Sequence, residues 1–141
     1  MKQNLLNDEA EILAKTLYGE ARGESVAGIE AVANVILNRV KYAIQKGSHW
    51  WGNSIIEVCK KPFQFSCWNK QDVNEPLLEK DLSDDPIYKI CYRIAKRAIA
   101  GCLKDNTRGA THYHTLSCNP QWARCAIPCA QIGEHLFYAI Y

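Results

Sequence analysis

The chain has 141 residues, 48% of them hydrophobic, with 17 Lys and Arg, 15 Asp and Glu, seven Cys, eight Gly and five Pro. A single core of that size folds without staples; the composition excludes collagen, coiled coil and intrinsic disorder, and no apolar run approaches the roughly 20 residues that span a bilayer. The net charge of +2 is too small to argue for nucleic acid, which leaves one soluble globular domain, 1–141.

The first residues, Met1-Lys2-Gln3-Asn4-Leu5-Leu6-Asn7-Asp8-Glu9, have no apolar core and no small-residue cleavage site. They do not read as a secretory signal, so synthesis in the cytoplasm is expected. Asn7 is a good N-cap, with Asp8 and Glu9 well placed in the first turn of a helix. Ala10, Leu13, Leu17 and Ala21 keep helical spacing up to Gly23. A second helix is predicted after Ser25, with Ile29, Ala33, Ile36 and Val40 on one face, ending by Gly47.

Residues 48–81 are rich in aromatics and hold one short predicted helix after Ser54. Alternation in Pro62-Phe63-Gln64-Phe65-Ser66-Cys67-Trp68 predicts an extended or short β segment. A long helix follows Ser83, with Pro86 tolerated in its first turn, the stripe Ile87, Ile90, Cys91, Ile94 and Ala98, and Gly101 at its end. The last forty residues read as mostly irregular, with a short strand within 135–140. The fold class expected is α+β, mostly α, with a small β segment.

Charge is uneven along the chain. Residues 1–87 carry 10 basic and 13 acidic side chains, and residues 88–141 carry seven and two. Lys89, Arg93, Lys96 and Arg97 fall on the outer side of the long helix and are expected to favour anionic polymers. The seven cysteines are an odd number, so at least one thiol stays unpaired. Cys118, Cys125 and Cys129 lie near His112 and His114, but no C-x-x-C pair is present and the spacing fits no structural zinc pattern. No metal and no cofactor are expected.

Glu20 follows Leu13 and Leu17 on the buried stripe. Desolvation raises the pKa of a carboxyl held there, which is what a general acid working near neutrality needs. Gly19 and Gly23 flank that region and suggest close approach by a ligand. The structural alternative is an ion pair between Glu20 and Arg22, Arg39 or another cation near the helix end. Glu24 would share the cleft only if the helix continued past Gly23; anchoring the following turn is its expected role. In Gly109-Ala110-Thr111-His112-Tyr113-His114, an extended backbone puts Thr111 and Tyr113 on one face and both histidines on the other. Trp68, Tyr113, Trp122 and Tyr138 are candidates to stack on sugar rings.

Six blocks occur in order: Leu17-Tyr18-Gly19-Glu20-Ala21-Arg22-Gly23-Glu24, Val32-Ala33-Asn34-Val35-Ile36-Leu37-Asn38-Arg39-Val40, Gln64-Phe65-Ser66-Cys67-Trp68, Gly109–His114, Pro120-Gln121-Trp122-Ala123 and Ile132–Tyr138. Together they resemble the cell-wall hydrolase family typified by the spore-cortex-lytic enzyme SleB, over about residues 8–141. The resemblance implies a lysozyme-like, lytic-transglycosylase-related domain that cuts the β-1,4 bond between N-acetylmuramic acid and N-acetylglucosamine in peptidoglycan. It places the catalytic acid at Glu20. Gln64, Trp68, Thr111, Tyr113, Trp122 and Tyr138 are the candidate sugar contacts. The product is either a 1,6-anhydro sugar or a hydrolysed end.

The partner implied is a peptidoglycan glycan strand, met by a monomer, with no nucleic acid and no stable membrane insertion. A domain without an export signal fits a phage or prophage endolysin that reaches the wall on lysis; an enzyme exported by another route is the second reading. Two other classes stand beside these. One is a wall-glycan-binding module without turnover, and the other a metal-dependent amidase or peptidase using His112, His114 and a cysteine.

Overall fold

The computed structural model describes residues 2–62, 64–69, 72 and 75–141, with side chains from residue 8 onward except that of Glu75. Helix α1 (Lys2–Ala21) buries Ala10, Leu13, Leu17 and Ala21, the stripe read from the spacing. It begins upstream of Asn7, which lies inside the helix and not at its cap.

Helix α2 (Val26–Lys46) starts where Ser25 predicts, because the Ser25 hydroxyl accepts the Gly28 N–H at 3.2 Å. It stops at Gly47, whose φ of +92° a β-carbon would penalise. Ser54 caps α3 (Ile55–Lys60) in the same way, accepting the Glu57 N–H. A short α4 (Glu75–Leu78) leads to α5 (Pro86–Ile99). The cap of α5 is Asp85 rather than Ser83: its carboxylate accepts the N–H groups of Ile87 and Tyr88, while Pro86 fills the first helical position. Cys91, Ile94 and Ala98 turn into the core, and Ile87 remains exposed at the first turn.

α5 lies along α1 and α2, and the large core forms between these helices, α3 and the 65–67 backbone. The expected β segment at 62–68 is a 3-10 turn over Ser66–Trp68. Its backbone is too curved to pair, and its buried Phe65 and Cys67 pack on helices instead. Phe63 of that expectation lies outside the described residues.

The C-terminal forty residues are more regular than expected. Strands β1 (His112–Thr115), β2 (Ala130–Ile132) and β3 (His135–Tyr138) form an antiparallel sheet in the order β1-β3-β2. Tyr113 pairs with Phe137 and His112 with Tyr138. Side chains alternate across a strand, so Tyr113, His135 and Phe137 share one face, and His112, His114 and Tyr138 the other. The Phe137 face packs on Ala31 and Val35 of α2. All seven cysteines are free thiols.

Candidate active site

The last turn of α1 is buried on both sides of Glu20 by Leu17 and Ala21, which leaves the Glu20 carboxyl half-buried at the helix edge. The Ser66–Trp68 turn closes over it. That approach depends on Gly19, where an added Cβ would lie 2.5 Å from the Cβ of Cys67 and 2.8 Å from its Sγ. Hence Gly19 admits a neighbouring turn of the chain, not the ligand expected from sequence, and Gly23 has open space around it.

The turn is pinned one helical turn below the carboxyl. Trp68 Nε1 donates to Thr16 Oγ1 at 2.8 Å, and that hydroxyl donates to the Ile12 carbonyl. Lys60 Nζ stands 4.6 Å from the Trp68 ring centroid. So placed, the Ser66 backbone N–H donates to the Glu20 carboxylate.

The Glu20 pKa is raised from 4.5 to about 7: burial is the largest cause, the charge of Asp72 adds to it, and the Ser66 bond opposes them. No ion pair to Glu20 forms among the described residues, so neither Arg22 nor Arg39 is its partner. Arg39 is 9% exposed and lies between Trp51 and Phe65, with its guanidinium carbon 5.4 and 5.5 Å from the two ring centroids. Its Nε donates to the Thr111 carbonyl at 2.7 Å, its own carbonyl accepts Trp51 Nε1, and Nη1 is buried without a hydrogen-bond partner among the described residues. Burial pulls its pKa down to about 10.

Tyr113 faces this same region from β1. Burial pushes its hydroxyl pKa well up, and the Glu20 charge adds to that, so the phenol stays neutral beside the carboxyl. Glu20, Trp68 and Tyr113 are therefore brought together.

The other expected sugar contacts are placed differently. Thr111 is fully buried; its hydroxyl donates to the Ile140 carbonyl, accepts the Ile140 N–H and meets His112 Nδ1, so it ties the strand together. Gln64 spends its amide N–H groups on the carbonyls of Trp51 and Val58, and its Oε1 is buried. Tyr138 is 4% exposed with its hydroxyl on His114 Nε2 at 2.8 Å, on the sheet face opposite Tyr113. Trp122 covers that opposite face, 42% exposed and 5.2 Å from the rings of both His112 and Tyr138.

His112 and His114 stand on one face as the alternation requires, and Thr111, Thr115 and Tyr138 occupy ring nitrogens of theirs. Among the described residues no cluster of three or more His, Cys, Asp or Glu side chains converges. Glu24 is an anchor. Its Oε1 lies 2.5 Å from His135 Nδ1 and ties the α1–α2 turn to β3, and among the described residues neither atom has another partner. Two groups at the site carried little sequence signal. The Ser66 amide is backbone, and Asp72 comes near Glu20 only through tertiary folding.

A family model described as Cell Wall Hydrolase matches residues 23–138. The chain is 30% identical over 136 residues to the spore cortex-lytic enzyme of Halalkalibacterium halodurans, covering 93% of this chain and 34% of that protein. To the spore cortex-lytic enzyme of Bacillus subtilis it is 29% identical over 140 residues, 93% of this chain and 37% of that one. The chain thus spans little more than a third of either relative. Among solved structures, the catalytic domain of the Bacillus cereus SleB protein aligns with a TM-score of 0.67 at 27% identity, over 94% of this chain and 90% of that domain. The catalytic domain of the Bacillus anthracis germination-specific lytic transglycosylase SleB gives 0.65 at 27%, over 92% and 93%.

Proposed function

The chain belongs to the cell wall hydrolase family, and from that we propose that it cleaves the glycan strands of peptidoglycan with Glu20 as the general acid and base. The observation that carries this reading is a half-buried carboxyl that forms no ion pair among the described residues and has a pKa near 7. A protein that only bound glycan would gain nothing from a desolvated acid, whereas an acid catalyst is most effective when its pKa lies near the working pH.

In this mechanism the protonated Glu20 donates to the glycosidic oxygen as the bond from the muramic acid C1 breaks and positive charge develops on the ring. The carboxylate left behind accepts the Ser66 N–H, a charge-assisted bond that strengthens as the proton leaves. It then takes the proton of the muramic acid C6 hydroxyl. That oxygen attacks C1, which closes a 1,6-anhydro ring and returns Glu20 to its starting form. Tyr113, a neutral phenol near Glu20, is the proposed sugar contact, and Trp68 holds the Ser66–Trp68 turn through Thr16.

Asp72 supports a second outcome. Its charge reaches Glu20, and a second carboxylate is what directs water at C1 in a hydrolytic enzyme. Mass spectrometry of muropeptides released from purified sacculi separates the two: anhydro ends mark ring closure and reducing ends mark water. Near-wild-type product from Glu20→Gln would rule out the assignment of the acid.

A further inference from the structure

Helix α1 has a second polar face. Lys15 and Glu11 stand five and nine residues before Glu20, so at 3.6 residues per turn their side chains leave the helix about 140° and about 180° from the carboxyl. On that far side α1, the first half of α5 and the 80–83 loop enclose a groove of about 620 Å³, within the size of ligand clefts.

The groove combines rings with cations. Tyr88 and Tyr92 follow one another along α5 with centroids 6.2 Å apart; Tyr88 is buried and Tyr92 half-buried beside it. Four cations border them against two acids. Glu11 is already paired with Lys15 at 3.0 Å, and Asp81 accepts the Ser83 N–H. Lys80, Lys89 and Arg93 form no ion pair among the described residues. Lys89 and Arg93 are four residues apart on one face of α5, where their charges act together.

We propose that this groove is a second saccharide site, which holds another strand of the same wall polymer while Glu20 acts on the far side of α1. This rests on the peptidoglycan reading above. The apolar face of a sugar ring fits the half-buried ring of Tyr92, which Tyr88 backs. The carboxylates of peptide stems fit Arg93 as a fork and Lys80 and Lys89 as point charges. Wall strands are cross-linked, so a grip on one strand keeps the acid near its neighbour.

The test uses Lys89→Glu/Arg93→Glu and, separately, Tyr92→Ala, both in a Glu20→Gln background, on sacculi stripped of phosphate-containing polymers. Each is expected to lower retention about tenfold, and the charge-reversed protein to lose most of its salt dependence. With Glu20 present, the same substitutions are expected to leave cleavage of a short soluble glycan fragment unchanged. Unaltered retention in both variants overturns the proposal. So does loss on charge reversal with none for Tyr92→Ala, which describes only a basic surface, and so does binding that needs the phosphate polymers. Sacculi held through the groove but never cut refute the catalytic reading and leave the groove; cutting that ignores both variants does the reverse.

Discussion

Gly19 and Cys67 touch so closely that a β-carbon on the first would stand 2.5 Å from the β-carbon of the second. The contact is what seats the Ser66–Trp68 turn on the last turn of α1, and the turn brings the Ser66 N–H to Glu20. A smaller residue at position 67 than Cys, or a larger one at 19, therefore acts on the acid without touching a ligand.

Gly19→Ala tests this. Alanine is the better helix former by about 1 kcal/mol, so the helix alone would gain. The clash is with a Cβ, which cannot swing away, and overpacking of this kind costs about 1–3 kcal/mol. We expect no net gain in stability by denaturant unfolding and a loss of cleavage of at least tenfold. Cys67→Gly added to Gly19→Ala should restore much of the activity. Full activity in the single variant would show that the turn is free to move.

With Glu20 as the proposed acid, the pH dependence of cleavage should follow its proton. With a pKa of about 7, the carboxyl is loaded below neutrality and empties above it. The rate is expected to fall about tenfold per pH unit on the alkaline side of pH 7. A profile flat from pH 6 to pH 9 would mean that another group supplies the proton.

Stability carries the same sign. The folded pKa is raised from 4.5 to about 7, so between those values the native state holds more protons than the unfolded one, and stability falls as pH rises. The full difference is on the order of 3 kcal/mol. Glu20→Gln removes the ionisation, so the variant should be more stable than the wild type at pH 8 and differ little at pH 4. Equal unfolding midpoints at pH 8 would indicate a carboxylate already compensated.

Much of this architecture is legible in the residue order, and the misses have causes. The stripe Leu13, Leu17, Ala21 and the caps at Ser25 and Gly47 act locally, so spacing and turn chemistry reveal them. The half-buried position of Glu20 beside that stripe is legible for the same reason. Strand β2 spans three residues, too few to show alternation, and it exists because β3 offers it an edge. Thr111 and Tyr138 look like sugar contacts as residue types, yet the sheet register and the Ile140 backbone bury them. Asp72 belongs to a loop, and no periodicity links it to a helix some fifty positions earlier.

Glu24 and His135 make a separate prediction because they anchor rather than react. Their side chains are 15% and 7% exposed, and each is the other's partner. Removing one member of such a pair leaves the other polar and buried, which costs about 1–3 kcal/mol. Glu24→Ala should lose that much in urea unfolding. Glu24→Gln, which keeps the volume, should lose less and still cut sacculi wherever it is folded. A folded Glu24→Gln protein with Glu20→Gln-like inactivity would move Glu24 into the chemistry.

Arg39 decides whether the two walls of the site are one unit. Its guanidinium lies between Trp51 and Phe65, and its Nε holds the Thr111 carbonyl. Phe65 immediately precedes Ser66, which bonds Glu20, and Thr111 leads into the strand that carries Tyr113. One planar cation thus braces both walls. Lysine has the charge but not the plane or the fork, so Arg39→Lys keeps neither both ring contacts nor the bond to Thr111. A hydrogen bond from a charged group contributes about 1.5–3 kcal/mol, and a stability loss of that size is expected. Cleavage should fall more steeply than stability predicts at temperatures where the variant is fully folded, with the alkaline limb of the pH profile displaced because Ser66 and Tyr113 no longer hold their places around the acid. A destabilised Arg39→Lys enzyme with wild-type rate and pH profile would show that the brace serves the fold alone.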